Sequence, residues 1–147
     1  HYRNRSRVAP ELEEGAIYHD SDDGFLATID VLSMHIPGGA ATAKWLNAER
    51  LALMKPGALV VNTGRGTTVD DAALVAALRS GHIAAAGLDV YDGEPRVYPG
   101  YLALENVALL PHLGSATVET RQAMGERCIE NLAALLIDGR TPPHCVG

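Results

Sequence analysis

The sequence is poor in aromatic residues and in cysteine. Aromatic side chains make up 5% of the 147 residues, whereas 47% are hydrophobic, so a core has to be built from Ala, Leu and Val. This composition is typical of alanine-rich helices packed on Val/Leu strands, and it excludes a disordered chain. Cys128 and Cys145 have no C-x-x-C spacing. Their pattern argues against a disulfide framework and a zinc site, and it favours a reducing, cytoplasmic location.

Positive charge and long apolar runs are scarce too. The formal net charge of −6 disfavours nucleic acid and anionic membranes as partners. No apolar run approaches the roughly 18 residues of a membrane-spanning helix, and no signal-peptide pattern is present. An exception to the acidic character is the start of the chain, where Arg3, Arg5 and Arg7 occur without an acid, whereas residues 11–30 contain no Lys or Arg. We interpret this basic cluster as a local anion site.

Short apolar segments alternate with helical segments along the chain. The patterns predict strands at 1–3, 16–19, 30–36, 58–63, 83–90 and 106–111, and helices at 8–15, 22–29, 47–54, 69–81 and 115–139. This alternation predicts an α/β fold with a doubly wound parallel sheet, and the apolar runs at 58–62 and 106–110 predict strands buried on both faces. We expect one domain at residues 1–139, followed by a tail at 140–147.

The glycine fingerprint of dinucleotide-binding domains, G-x-G-x-x-G, does not occur in this sequence. Gly64 and Gly66 begin a similar pattern, but its last position is occupied by Val69. A Rossmann domain presents the fingerprint in its first βα turn. Two alternatives follow: the chain has another α/β fold, or the first βα unit lies upstream of His1 and the domain is incomplete.

Three residues capable of acid, base or anion chemistry follow predicted strands. Arg65 follows the strand at 58–63, Glu94 lies in the irregular stretch after 83–90, and His112 follows 106–111. Each residue also has an ordinary alternative. Arg65 fits a solvated loop arginine, Glu94 a turn acid, and His112 a helix cap. Because the carboxyl ends of parallel strands meet at one edge, where ligands bind, their joint placement favours a shared site.

The three residue types fit the reduction of a 2-keto acid by hydride transfer. A guanidinium such as that of Arg65 binds a substrate carboxylate in a bidentate manner. His112 is the candidate proton donor to the carbonyl oxygen, because the pKa of histidine is near neutral. Glu94 is the candidate that orients the imidazole and favours its protonated form. The hydride itself belongs to the cofactor.

Two segments carry a resemblance to a known family. They are "LALMKPGALVVNTGRGTTVDDAALVAALRSGHIAAAGLDVYDGEP" and "NVALLPHLGSATVETRQAMGERCIENL". They resemble the D-isomer-specific 2-hydroxyacid dehydrogenases, nearest to the glyoxylate/hydroxypyruvate reductase branch. The resemblance implies an incomplete Rossmann-like domain, inactive in isolation, from an oxidoreductase that acts on a small 2-keto or 2-hydroxy acid and forms a homodimer. It implies the same catalytic roles for Arg65, Glu94 and His112.

The resemblance also implies a set of cofactor-binding residues and no metal. The set comprises Arg3, Asn4, Arg5, Ser6, His35, Pro37, Thr42, Thr63, Gly64, Arg65, Asp89, His112 and Gly114. Members of the family usually have an acidic residue after the second strand that binds the ribose 2′-hydroxyl, whereas this chain has "HYRNRSR". We therefore expect Arg3, Arg5 and Ser6 to hold a 2′-phosphate, so that NADP(H) is favoured over NAD(H).

Other interpretations stay open. The same fold serves as a non-catalytic, nucleotide-gated interaction module in the C-terminal-binding corepressors, and phosphoglycerate dehydrogenase is a further enzymatic alternative. Formate dehydrogenase is disfavoured, because it has Gln where this chain has Pro111. Two positions depart from the family pattern, with Gly64 in place of the usual Ala and Gly38-Gly39 where the branch often has Leu-Thr. We expect the second departure to loosen its loop.

Overall fold

A computed structural model describes residues 1–145 of the chain. These residues belong to two compact units, which meet in sequence between Pro111 and His112. The predicted division into a domain at 1–139 and a tail at 140–147 stays a prediction, and the last two residues of that tail lie outside the described residues.

The first unit is a four-stranded parallel sheet with three α-helices. Its elements are α1 (Asp22–Thr28), β1 (Val31–Met34), α2 (Ala48–Leu53), β2 (Ala58–Asn62), α3 (Asp71–Ser80), β3 (Ile83–Leu88) and β4 (Val107–Leu109). The strands lie side by side in the order β1-β2-β3-β4, and every neighbouring pair is parallel. The predicted parallel α/β fold is confirmed. All four strands therefore end at the same edge of the sheet.

The start of the chain contains less regular structure than predicted. The expected strands at 1–3 and 16–19 form only an isolated parallel bridge between Tyr2 and Tyr18. The expected helix at 8–15 is reduced to a 3-10 turn, Pro10–Leu12. Gly15 stops the turn with a φ of 87°. So short a segment does not recover the cost of helix nucleation.

Side-chain caps determine where the helices begin. Asn47 Oδ1 accepts a hydrogen bond from Arg50 N (3.0 Å), and Asp70 Oδ1 accepts one from Ala73 N (3.2 Å). These bonds satisfy backbone donors that have no partner within the first helical turn. Gly81, with a φ of 75°, ends α3 in the left-handed conformation that glycine adopts without steric cost.

The hydrophobic core lies on one face of the sheet. α3 packs on β3, α2 on α3, and α1 on α2. The buried residues include Leu32 on β1, Val60 on β2 and Leu74 on α3, whereas Leu59 on the opposite face is 39% exposed. The predicted burial of β2 on both faces is therefore wrong, because burial alternates along this strand as it does when one face is covered. The residues of β4 are at most partly buried.

The second unit contains one long helix, α4 (Val118–Leu136). Its N-cap is Thr117, whose Oγ1 accepts a hydrogen bond from Thr120 N (3.2 Å). Within residues 1–145, no helix is both long and apolar enough to span a bilayer.

Gly66 packs directly against the loop that follows β3. A Cβ built on Gly66 would lie 1.9 Å from the carbonyl carbon of Tyr91 and 2.3 Å from the backbone nitrogen of Asp92. Only a residue without a side chain permits this approach of two main chains. The contact joins the loop that carries Arg65 to the loop that carries Glu94.

We expect Gly66→Ala to lower the free energy of unfolding by about 3 kcal/mol or more, because a methyl group that overlaps backbone atoms cannot be relieved by a rotamer change. Urea unfolding of the full-length protein measures this loss. Gly87→Ala is the matched control, since a Cβ on this β3 glycine meets nothing within 4 Å. Equal stabilities of the two variants would contradict the packing argument.

Candidate functional site

A buried asparagine at the end of β2 shapes the loop that carries Arg65. Asn62 is 1% exposed. Its Oδ1 accepts a hydrogen bond from Gly64 N (3.0 Å), and its Nδ2 donates to Arg65 O (3.1 Å). Thr68 Oγ1 donates to the same carbonyl at 2.6 Å. The backbone of the loop is thus fixed by three hydrogen bonds, while the Arg65 side chain is exposed.

Sequence reasoning missed Asn62. The available signal was a single amide side chain at the end of an otherwise apolar strand. A buried polar group of this kind needs hydrogen-bond partners, and here the partners are the backbone of the next loop.

A cleft of about 480 Å³ lies at the carboxyl ends of β1 and β2. It is lined by His35, Ile36, Pro37, Gly38, Thr63, Gly64 and Arg65. The cleft brings together five of the predicted cofactor-binding positions. It lies at the edge where parallel α/β sheets bind ligands.

The imidazole of His35 joins β1 to β2 at this cleft. Its Nε2 lies 2.8 Å from Ser33 Oγ, and its Nδ1 lies 3.3 Å from Thr63 Oγ1. Thr42, which was predicted to contact the cofactor, is not among the residues that line the cleft. Its hydroxyl donates to the carbonyl of Pro37 at 2.6 Å, so it stabilises the backbone of the loop after β1.

Two of the three glycines that depart from the family pattern, Gly38 and Gly64, have packing reasons. A Cβ on Gly38 would lie 3.3 Å from Arg65 Cγ and 3.2 Å from Thr67 Oγ1. A Cβ on Gly64 would lie 3.0 Å from the carbonyl oxygen of Ile36. All three distances are shorter than ordinary van der Waals contacts. The loop after β1 therefore lies closely against the aliphatic part of Arg65, where we had expected a looser loop.

Asp89 and Glu94 follow β3 at the same edge of the sheet. Asp89 is 6% exposed, and its backbone nitrogen donates to Asn62 O at 3.0 Å. Glu94 is exposed, and its Oε1 accepts a hydrogen bond from Tyr91 N at 2.9 Å. Neither side chain lines the cleft at Arg65. Within residues 1–145, no group of three or more His, Cys, Asp or Glu side chains is placed to hold a metal ion.

Two of the three N-terminal arginines form ion pairs. Arg3 Nε donates to Asp22 Oδ1 at 2.9 Å. Arg7 binds Glu13 in a bidentate manner, with distances of 2.6 and 2.7 Å. The hydrogen bonds from Arg7 are the largest cause that lowers the pKa of Glu13 to about 2. Both arginines thus have carboxylate partners inside the protein.

Arg5 differs from these two arginines. Among residues 1–145 it has no hydrogen bond or ion pair, and it is exposed between Asn4 and Ser6, which are exposed as well. The carbonyl of Asn4 accepts hydrogen bonds from Arg3 and from the hydroxyl of Tyr18. Of the predicted phosphate-binding arginines, Arg5 is therefore the one with an uncompensated charge.

His112 and Gly114 belong to the second unit. His112 is exposed and has a φ of 56°, in the left-handed region that residues other than glycine seldom adopt. Such a conformation costs about 1–3 kcal/mol and is often found at functional positions. The strained backbone is an observation on His112 that is independent of its sequence motif.

Comparisons with known proteins agree with these features. Residues 1–114 match the model of the D-isomer specific 2-hydroxyacid dehydrogenase, NAD binding domain. The chain is 43% identical over 139 residues to 4-methyl-2-oxopentanoate reductase A of Aspergillus oryzae, covering 95% of this chain and 42% of the relative. It is 44% identical over 147 residues to the glyoxylate reductase of Thermococcus litoralis, covering 99% of this chain and 44% of that protein.

A solved structure gives the same result. The NADPH-dependent glyoxylate/hydroxypyruvate reductase of Sinorhizobium meliloti, crystallised with NADP and malonate, superposes with a TM-score of 0.88 at 42% sequence identity. The match covers 95% of this chain and 43% of that one. The chain thus spans less than half the length of the relatives that it matches. The matches in sequence and the match in fold therefore point to the same family. The chain belongs to the D-isomer specific 2-hydroxyacid dehydrogenase family, within its NAD-binding domain.

Proposed function

We propose that the protein containing this chain is an oxidoreductase that transfers hydride between NADP(H) and a small 2-oxo or 2-hydroxy acid of glyoxylate or hydroxypyruvate type. The observation that carries this proposal is the placement of Arg65. Arg65 lies in a loop that is held by hydrogen bonds from Asn62. Its exposed side chain lines a cleft at the carboxyl ends of parallel strands. A cation so placed suits a small carboxylate substrate.

The cleft suits a nicotinamide dinucleotide. Glycines at 38 and 64 leave backbone at its wall without side chains, and the hydroxyl of Thr63 and the imidazole of His35 supply polar groups. Close backbone approach and a few polar groups are typical of nucleotide sites in α/β sheets. When bound, the cofactor supplies or accepts the hydride.

The three candidate catalytic residues then have distinct roles. Arg65 binds the substrate carboxylate in a bidentate manner and so orients the neighbouring carbonyl. His112 donates a proton to the carbonyl oxygen as the carbonyl carbon is reduced, and it takes that proton back in the reverse reaction. Glu94 favours the protonated imidazole and fixes its orientation.

We expect His112→Gln to lower kcat of the full-length protein by about 100-fold or more, because glutamine cannot act as a general acid. Steady-state reduction of glyoxylate and hydroxypyruvate with NADPH measures this effect. The control is His82→Gln, since His82 precedes β3 at the opposite edge of the sheet and its Nε2 lies 3.0 Å from Leu51 O. It should keep near-normal turnover.

A decrease of less than about tenfold for His112→Gln would remove the residue from the role of general acid. Wild-type protein that binds NADPH but reduces neither 2-oxo acid would favour the interaction-module alternative over the enzyme.

Arg5 supports the preference for NADP(H). A 2′-phosphate carries charge that the 2′-hydroxyl of NAD(H) lacks, and an arginine without a partner among the described residues 1–145 gains charge-assisted hydrogen bonds from it. Arg3 is less suited, because Asp22 already neutralises its guanidinium.

We expect Arg5→Gln to weaken the binding of 2′,5′-ADP by about tenfold, because charge-assisted phosphate contacts are lost, and to leave 5′-AMP binding unchanged. Isothermal titration calorimetry measures both ligands. Arg79→Gln is the control, because this exposed arginine lies in the last turn of α3, away from the carboxyl ends of the strands. An unchanged affinity of Arg5→Gln for 2′,5′-ADP would overturn the assignment.

A homodimer and a cytoplasmic location stay predictions from the sequence. Sedimentation of the full-length protein measures the first, and cell fractionation measures the second.

A further inference from the structure

The side chain of Tyr91 links the ends of two neighbouring strands. Tyr91 follows β3 and is 8% exposed. Its hydroxyl lies 2.9 Å from the carbonyl oxygen of Leu88 and 2.7 Å from that of Leu110. A phenol has one proton, so the hydroxyl donates to one carbonyl at a time or shares its proton between them. The backbone at the ends of β3 and β4 is thereby held at one point.

The main chain of Tyr91 contacts two further loops. Its backbone nitrogen donates to Glu94 Oε1 at 2.9 Å. Its carbonyl carbon is the atom that a Cβ on Gly66 would overlap, and Gly66 directly follows Arg65. Tyr91 therefore contacts three groups. They are the carboxylate of Glu94, the glycine that follows Arg65, and the carbonyl of Leu110, two positions before His112.

We propose that Tyr91 is a positioning residue for the reaction, and that its hydroxyl fixes the point at which the chain leaves β4 towards His112. The inference rests on the proposed function, because it takes Arg65, Glu94 and His112 as the catalytic residues. Tyr91 is not a catalytic residue, since its hydroxyl is engaged by backbone carbonyls.

The hydroxyl, and not the ring alone, carries this role. A phenylalanine would fill the same buried space and satisfy the packing. It would leave the Leu110 carbonyl without this donor, and the segment before His112 would be less restricted. Burial raises the pKa of the Tyr91 phenol, so the group stays protonated and able to donate across the range in which enzymes of this kind work.

The test is Tyr91→Phe in the full-length protein. We expect kcat to fall by about fivefold with KM for the 2-oxo acid within about twofold, because the loop of Arg65 is unchanged.

Tyr101→Phe is the matched control. Tyr101 is 1% exposed, and its hydroxyl donates to Asp71 Oδ1 at 2.8 Å, away from the ends of β3 and β4. It loses the same atom from a buried ring, so it reports the effect of stability alone. We expect its kcat and KM to stay close to those of the wild type. Amide hydrogen exchange in the segment 109–113 should be faster in Tyr91→Phe and unchanged in Tyr101→Phe.

Three results would overturn the inference. These are a Tyr91→Phe variant with wild-type kcat and wild-type amide exchange in the segment 109–113, an equal change in Tyr101→Phe, and a fall in kcat that matches a loss of folded protein by circular dichroism. Failure of the proposed function gives a different result, because the wild-type protein would then reduce neither glyoxylate nor hydroxypyruvate. Loss of activity in His112→Gln with an unchanged Tyr91→Phe would reject the positioning role alone.

Discussion

The main chain at Gly66 and the main chain at Tyr91 and Asp92 approach each other more closely than any side chain permits. This contact joins the loops that leave two adjacent strands, β2 and β3. A backbone hydrogen bond from Asp89 N to Asn62 O lies just before this contact in both segments. The candidate catalytic side chains of Arg65 and Glu94 are thus carried by loops whose backbones hold each other. Their relative placement depends on the glycine contact and on backbone hydrogen bonds, and the Glu94 carboxylate adds the bond that it accepts from Tyr91 N.

The structure separates the residues that build the site from those that carry its chemistry. Asn62 and Gly66 are buried and shape the backbone, whereas Arg65 and Glu94 are exposed. Hydrogen bonds from a buried amide to a loop restrict its conformations, and the exposed side chain is then presented with little freedom in its backbone. This division suits the anion-binding role proposed for Arg65, because an exposed guanidinium is accessible to a ligand.

The regular elements of the first unit could be predicted from local patterns. β2 and α3 are marked by an apolar run and by helical spacing between Asp70 and Gly81, and these signals need only neighbouring residues. The helix predicted at 8–15 failed because Pro10 and Gly15 leave only one turn between them. The prediction that β2 is buried on both faces was wrong, because burial depends on which other elements cover the sheet. The sequence of a strand alone does not specify those elements.

The candidate site was predictable to the extent that it follows the ends of strands. Arg65 and Glu94 could be placed at one edge because parallel strands end together. The roles of Asn62, Gly66 and Tyr91 could not be predicted, because their contacts join segments that are distant in the chain and leave no periodic pattern. The partner of Arg3 was missed for the same reason, since Asp22 lies 19 residues further along.

Gly38 has a consequence for how such proteins diverge. The Arg65 stem lies 3.3 Å from the position that a Cβ on this glycine would occupy. A lineage that acquires a side chain at this position must also shift the arginine, so the residue at 38 and the conformation at 65 are expected to covary. The position of the guanidinium is then open to selection through a residue that need not touch the ligand proposed for Arg65.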